Sequence, residues 1–149
     1  MDSSTKQSVL NILDHATDLT LATVRPDGYP QATTVSYAHD GLTLYVGIGR
    51  DSQKAENIRR CDKVSLTINL PYANWTQIQG LSMAASATII SAPEKISCAG
   101  ACMMQRFPQL AEFATAQGMD DIVFLEITPQ VISVLDYQQG FGHTELVTV

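Results

Sequence analysis

Positive charge is scarce in this 149-residue chain: nine lysines and arginines stand against fifteen acidic residues, for a net charge of −6. That balance excludes a broad basic face for nucleic acid and leaves room only for a small anion held by a few local cations. Cysteine is scarcer still, at three residues: Cys61, Cys98 and Cys102. An odd count with a lone Cys-x-x-x-Cys spacing makes neither a disulfide framework nor a complete zinc site, so reduced, partly buried thiols are expected. No pair among His15, His39 and His143 has helical metal spacing, and the first two sit beside acidic residues on surfaces where solvation is expected. No stretch approaches the ~20 apolar residues that span a bilayer. Residues 1–7 are polar and carry no apolar signal core, so no membrane contact and a cytoplasmic location are the default expectations. A Gly-x-Ser-x-Gly elbow is missing, and Glu112, Asp120 and Asp121 fall in a helix end and a turn, not in an acid–base pair.

What remains is alternation. A content of 45% hydrophobic and 16% charged residues is ordinary for a globular domain. A chain of this length buries roughly 68% of its unfolded surface, enough for one domain over residues 1–149 without metal or disulfide. Leu42, Leu44, Val46 and Ile48 alternate with Thr43, Tyr45, Gly47 and Gly49, and Val64, Leu66 and Ile68 with Ser65, Thr67 and Asn69. This is period-two patterning with one buried face. Asp27-Gly28 and Asp40-Gly41 suit tight hairpins, because glycine accepts positive φ. The segments flanking each turn are expected to be hydrogen-bonded neighbours. Strands are predicted over 19–25, 31–38, 43–48, 63–70, 81–91, 122–128 and 131–136.

Helical spacing appears in three places. Val9, Ile12, Leu13 and Ala16 predict an amphipathic helix over 4–17, packed on the first strand. Ser52 opens a second over 52–60. From 96 to 117, Ala99, Met103, Phe107, Leu110 and Ala114 keep the spacing, with Pro108 dividing the stretch into two short helices and Gly118 as the final C-cap. Pro71 opens a loop that holds Trp75, and Pro93 ends the long fifth strand. Many strands, short turns and no regular strand–helix–strand alternation predict a mainly β domain with peripheral helices, a closed or half-closed antiparallel barrel.

The chemical signal lies at the second helix. Gly47-Ile48-Gly49-Arg50-Asp51-Ser52 begins like a dinucleotide fingerprint, but Ser52 stands where the third glycine belongs and the flanking strands are hairpin-linked. Ser52 and Lys54 at a helix start combine amides, a hydroxyl and an ammonium that together hold a phosphate, with Arg50 close enough to assist. The alternative is that Ser52 merely caps the helix while Lys54 and Arg50 face solvent. His143, between Gly142 and Thr144 and after Phe141, has two readings as well. It reaches the edge of a planar cofactor or ligates haem, or else Phe141 anchors the C-terminal segment in an interface and His143 satisfies a carbonyl. Trp75, Tyr29, Tyr37 and Tyr72 fit a stacked cofactor less well than they fit core edges or interfaces.

Three segments in order resemble the pyridoxamine 5'-phosphate oxidase-like family of FMN-binding split barrels. "LATVRPDGYPQATTVSY" is similar to its first hairpin, "LYVGIGRDSQKAENIRRCDKVSLTI" to its Ser-x-Lys-x-x-Asn-Ile segment, and "YQQGFGHTELV" to a Gly-Phe-Gly-His ending of one subgroup. The resemblance implies an antiparallel split β-barrel, a homodimer with FMN in a cleft between subunits, and a flavin-dependent oxidoreductase of unknown substrate. Thr33, Thr34, Val35 and Ser36 would lie along the flavin, and Ser52 and Lys54, with Arg50 beside them, would meet the phosphate. Gln79 resembles a glutamine that reaches the flavin, Phe141 and His143 are implied near the cofactor, and Asn57 is implied as support for the loop. The family's vitamin B6 oxidase has an arginine where this chain has Thr33, and an Arg-x-x-Pro-type ending that is missing here. The resemblance therefore does not extend to that enzyme's own reaction. A haem-binding split barrel, a deazaflavin variant and a cofactor-free dimeric module stay open as alternatives.

Overall fold

A computed structural model of the protein describes residues 1–117 and 120–149, without the side chains of 114–117. Among these residues eight strands form one antiparallel sheet: β1 (Asp18–Val24), β2 (Pro30–Ser36), β3 (Ala38–Asp40), β4 (Thr43–Gly49), β5 (Lys63–Asn69), β6 (Gln79–Ile89), β7 (Ile122–Asp136) and β8 (Thr144–Thr148). The order is β2-β1-β5-β6-β7-β4-β3, with β8 added to the free half of β7. The two ends of this path, β2 and β3, are consecutive in the chain. The sheet therefore curls round until its ends are joined by covalent continuity through Tyr37 instead of by a hydrogen-bonded ladder. This is a split barrel.

Tyr37 makes the break. The expected strand over 31–38 divides there because β2 pairs with β1 only as far as Ser36, opposite Asp18, and β3 then pairs with β4. The Tyr37 amide donates to the Thr17 carbonyl at 3.2 Å. Its buried phenol donates to the carbonyls of Leu13 at 2.7 Å and Ala16 at 3.2 Å. Ladder pairing is thus exchanged for bonds to the end of the first helix. The expectation that β2 neighbours β4 is corrected accordingly: β4 pairs with β7. Asp40-Gly41 does make a tight turn, with Asp40 opposite Thr43 and Gly41 at φ 58°. Asp27-Gly28 belongs to a longer loop closed by Arg25 N to Tyr29 O at 2.9 Å.

Residues 122–128 and 131–136 are one strand. Pro129 has no amide to donate and sits opposite Ala85, where the register with β6 shifts. A bulge at Gln130 absorbs the missing bond, and the Gln130 carbonyl accepts from Val149 at 3.0 Å. Strand β8 was not predicted. Of its five residues only Val147 is buried, so its periodicity is too faint to read.

Among the described residues four α-helices decorate the barrel: α1 (Ser3–His15), α2 (Gln53–Arg60), α3 (Pro93–Arg106) and α4 (Leu110–Gln117). Helix α1 starts at Asp2, whose carboxylate accepts from the Thr5 amide at 2.8 Å. It packs chiefly on β5 and β6, not on β1 as expected. Its Val9, Ile12 and Leu13 join inward residues of the strands, such as Leu21, Leu66, Met83 and Ile132, in the main core. Helix α3 begins at Pro93, three residues before its expected start, since proline suits the first helical turn. Pro108 separates α3 from α4 as predicted. Ala99 and Met103 of α3 cover Phe124 and Ala38 in a second, smaller core. Gly118 and the side chain of Ala114 lie outside the described residues.

Gly80 is required by packing. A Cβ there would come within 2.9 Å of the Ile68 carbonyl oxygen across the β5–β6 ladder.

Candidate functional site

The start of helix α2 is the candidate anion site, for reasons that begin in its cap. Ser52 has extended backbone, its Oγ accepts from the Ala55 amide at 3.3 Å, and its carbonyl accepts from Glu56 at 3.2 Å. The amides of Gln53 and Lys54 precede the first helical bond and are left for an external acceptor. Ser52 Oγ also donates to the Gly49 carbonyl at 2.7 Å. Its hydroxyl is therefore a cap and a loop clasp, and any phosphate contact would use its remaining lone-pair side or a turned hydroxyl. Lys54 is half-buried, Arg50 is exposed, and among the described residues neither cationic group has a partner. The Arg50 backbone is pinned at both ends, by N to Asp121 O at 2.8 Å and by the guanidinium of Arg59 on its carbonyl at 3.0 Å.

Gly49 also borders a cleft of about 340 Å³. Val35 and Ser36 of β2 form one wall, Gly47 and Gly49 of β4 another, and Met103, Leu110 and Phe124 close the far end with apolar surface. The cleft occupies the split, where β2 and β4 come close without pairing. Being an edge, β2 keeps amides and carbonyls on its outer side unpaired and available to a planar ligand. On the barrel-facing side of β2 lie Gln31, Thr33 and Val35, all partly covered. Thr33 Oγ1 is buried and has no hydrogen-bond partner, alone in this respect among the described residues. A buried hydroxyl without a partner costs about 1–3 kcal/mol, so a ligand that supplied one would gain affinity there. Thr34, by contrast, faces outward beside Thr20 at 3.4 Å.

Gln79, Phe141 and His143 gather elsewhere. Gln79 and His143 line a separate polar cavity of about 260 Å³ with Thr5 and Ser8 of α1, Asp136 and Glu145. Its carboxylates are engaged locally: Glu145 accepts from Thr5 Oγ1 at 3.1 Å, and Asp136 from the Gln138 amide at 3.2 Å and Gln139 Nε2 at 2.9 Å. The His143 imidazole is exposed and has no partner among the described residues. Its backbone holds the turn, with N to Gly140 O at 3.0 Å and O accepting from Asp136 N at 3.1 Å. Phe141 is 73% exposed and packs edge-on against Tyr137 at 5.3 Å and beside Trp75 at 6.2 Å.

His39 departs from its expected solvation. Its side chain is 12% exposed, with Nε2 on Asp14 Oδ1 at 2.8 Å and Nδ1 on the Gly41 carbonyl at 2.9 Å. The thiols are free, Cys98 being exposed and Cys61 and Cys102 half-buried. Burial, with Asp40 nearby, pushes the Cys102 thiol up, against the opposing pull of Arg106. Among the described residues no cluster of His, Cys, Asp or Glu could hold a metal ion, and no helix is long and apolar enough to cross a membrane. The apolar end of the cleft escaped sequence reasoning because Met103, Leu110 and Phe124 read as ordinary core positions.

Comparison with known proteins agrees with this architecture. A curated relative, general stress protein 26 of Bacillus subtilis strain 168, is 29% identical over 133 residues, covering 88% of each chain. A heme binding protein from Mycobacterium smegmatis superposes with a TM-score of 0.82 at 19% identity. The match covers 99% of this chain and 59% of that one, so this chain spans little more than half of it. A putative pyridoxamine 5'-phosphate oxidase from Listeria innocua superposes with a TM-score of 0.68 at 25% identity, over 89% and 98% of the two chains. The sequence profile named for pyridoxamine 5'-phosphate oxidase matches residues 5–136, and with it the chain belongs to the pyridoxamine 5'-phosphate oxidase family.

Proposed function

We propose that the protein binds FMN as a homodimer and serves as a flavin-dependent oxidoreductase. The observation that carries this reading is the joint placement of an anion-ready helix start, at Gln53, Lys54 and the Ser52 cap, beside a cleft edged by β2. The unpartnered Thr33 hydroxyl supports the fit, since a ring with peripheral acceptors would satisfy it. The free amides and Lys54 would hold the phosphate, and the unpaired edge of β2 would run along the ring. FMN, when bound, supplies the electron chemistry. The chain supplies orientation and a dry wall, which is why a cleft without an acid, base or nucleophile in its lining suffices.

Two features favour the dimer. The cavity lined by Gln79 and His143 shares no residue with the cleft beside Gly49, and a second copy is the reading that brings both sets of residues to one ligand. The outer sheet face also carries two aligned rows without a charge. One row is Thr34, Thr20, Thr67, Ser82, Ser133 and Leu146, and the other is Ala32, Ala22, Ser65, Ala84, Val131 and Thr148. A water-facing sheet ordinarily bears charged residues, and small uncharged ones suit a flat protein contact. Leu146, 71% exposed in the single chain, would be covered there.

A second reading, haem binding with His143 as ligand, is favoured by one observation: an exposed imidazole with no partner, at the mouth of a cavity. The visible spectrum of the purified protein, with the mass of the ligand that heat releases, separates the two. Released FMN supports the flavin reading. A Soret band that His143→Ala removes supports haem. A colourless protein that ignores added FMN refutes both and leaves a dimeric interaction module.

A further inference from the structure

Beneath the proposed phosphate site lies a buried polar network that apolar packing did not require. Asn57 of α2 is 0% exposed and uses three hydrogen bonds. Its Nδ2 donates to Thr23 Oγ1 of β1 at 2.9 Å and to Gln31 Oε1 of β2 at 3.2 Å, and its Oδ1 accepts from Gln53 Nε2 at 2.8 Å. Thr23 is itself fully buried. Gln53 is the first residue of α2 and owns one of the two amides left open at the helix start. Gln31 precedes Thr33 by two positions and so shares its face of β2, beside the cleft wall at Val35.

One side chain therefore ties the anion-facing end of α2 to the strand that borders the cleft. Ala55 and Ile58 already seat the helix in the core, but apolar contacts are non-directional and tolerate sliding. Amide hydrogen bonds in a buried, satisfied network specify one arrangement. We propose that Asn57 is a positioning residue: with Thr23, Gln31 and Gln53 it fixes the separation between the phosphate-binding helix start and β2, so that one FMN meets both at once. This rests on the flavin reading above. It differs from general support of the fold, because it predicts a loss confined to ligands that span both ends.

Riboflavin, which has the ring and no phosphate, is the probe that separates the two roles. Asn57→Leu strands a buried hydroxyl and threatens folding, so the informative variants are Gln31→Leu and Thr23→Val, with Thr23→Ser as the conservative control. Thermal midpoints verify folding, and fluorescence titration gives Kd for FMN and for riboflavin. Each of the first two variants is expected to weaken FMN about tenfold, the equivalent of one well-placed hydrogen bond, with riboflavin held within about twofold. Thr23→Ser is expected to keep the wild-type ratio of the two affinities. Parallel loss for both ligands, or loss for neither, overturns the positioning role and leaves the flavin reading intact. A wild-type chain that takes up no FMN overturns the flavin reading, and the positioning role falls with it.

Discussion

Alkaline pH should unfold this protein through Tyr37, and the structure sets the size of the effect. The phenol is fully buried, donates to two carbonyls at the end of α1, and has the Arg106 guanidinium 4.7 Å above its ring. Burial pushes its pKa from 10.0 up to about 12; Arg106 opposes that shift, and Asp14 and Asp18 add to it. The folded state thus holds a proton that the unfolded chain releases. Stability is complete below pH 10, falls as pH rises through the window from 10 to 12, and levels off above it. At 1.36 kcal/mol per pH unit, that window amounts to about 3 kcal/mol. Other groups titrate in that range, so the assay is a difference: urea unfolding of wild type and Tyr37→Phe at a series of pH values. The variant lacks the two hydroxyl bonds and is expected to start about 1–2 kcal/mol less stable at neutral pH. It should then lose less than wild type above pH 10, so that the two curves converge or cross. Equal losses across the window would refute the assignment.

Three further outcomes follow from particular contacts. Lys54→Met should weaken FMN by about 1.5–3 kcal/mol, the range of a charge-assisted hydrogen bond, and leave riboflavin unmoved; unchanged FMN affinity by titration removes Lys54 from the site. Arg106→Met should cost roughly 3 kcal/mol in urea unfolding with an unaltered m-value. One guanidinium serves the carbonyls of Leu13, Asp14 and Ala16 and stacks on Tyr37, so a loss under ~1 kcal/mol would show that water replaces it. Ala84→Lys places an ammonium at the centre of the uncharged outer face and is expected to shift the sedimentation coefficient from dimer to monomer with the fold retained; an undisturbed dimer would mean that the copies meet elsewhere.

Legibility in the sequence tracked the range of the interactions. Where a local pattern decides the outcome, it was readable: the alternation in 43–48 and 63–70, the helix that Ser52 opens, the division at Pro108 and the turn at Asp40-Gly41 all appear within a residue or two. Where one residue chooses between two distant partners, it was not. Nothing near Tyr37 announces that β2 ends there, because the competing bonds come from Leu13, Ala16 and Thr17. Pro129 reads as a strand breaker and is accommodated by a bulge, an option decided by β6 and β8 across the sheet. His39 looked solvated because its neighbours in sequence are polar, yet Asp14 reaches it from α1.

The candidate site divides along the same line. Ser52 and Lys54 carry a local signature, a cap with a cation two residues on, and the Ser52 hydroxyl bonds the carbonyl of Gly49, which lines the cleft. Asn57 belongs to the same motif, but its neighbours in space, Thr23 and Gln31, are 34 and 26 residues distant in the chain. A motif of fixed spacing can arise because each residue touches a ligand or because some hold the others in place. Burial distinguishes the cases. A side chain at 0% exposure cannot meet a phosphate at the surface, whereas the half-buried Lys54, three residues away in sequence, can. On the flavin reading, the spacing from Ser52 to Asn57 is a joint requirement, in which the outward face of α2 would bind and its inward face would fix where binding occurs.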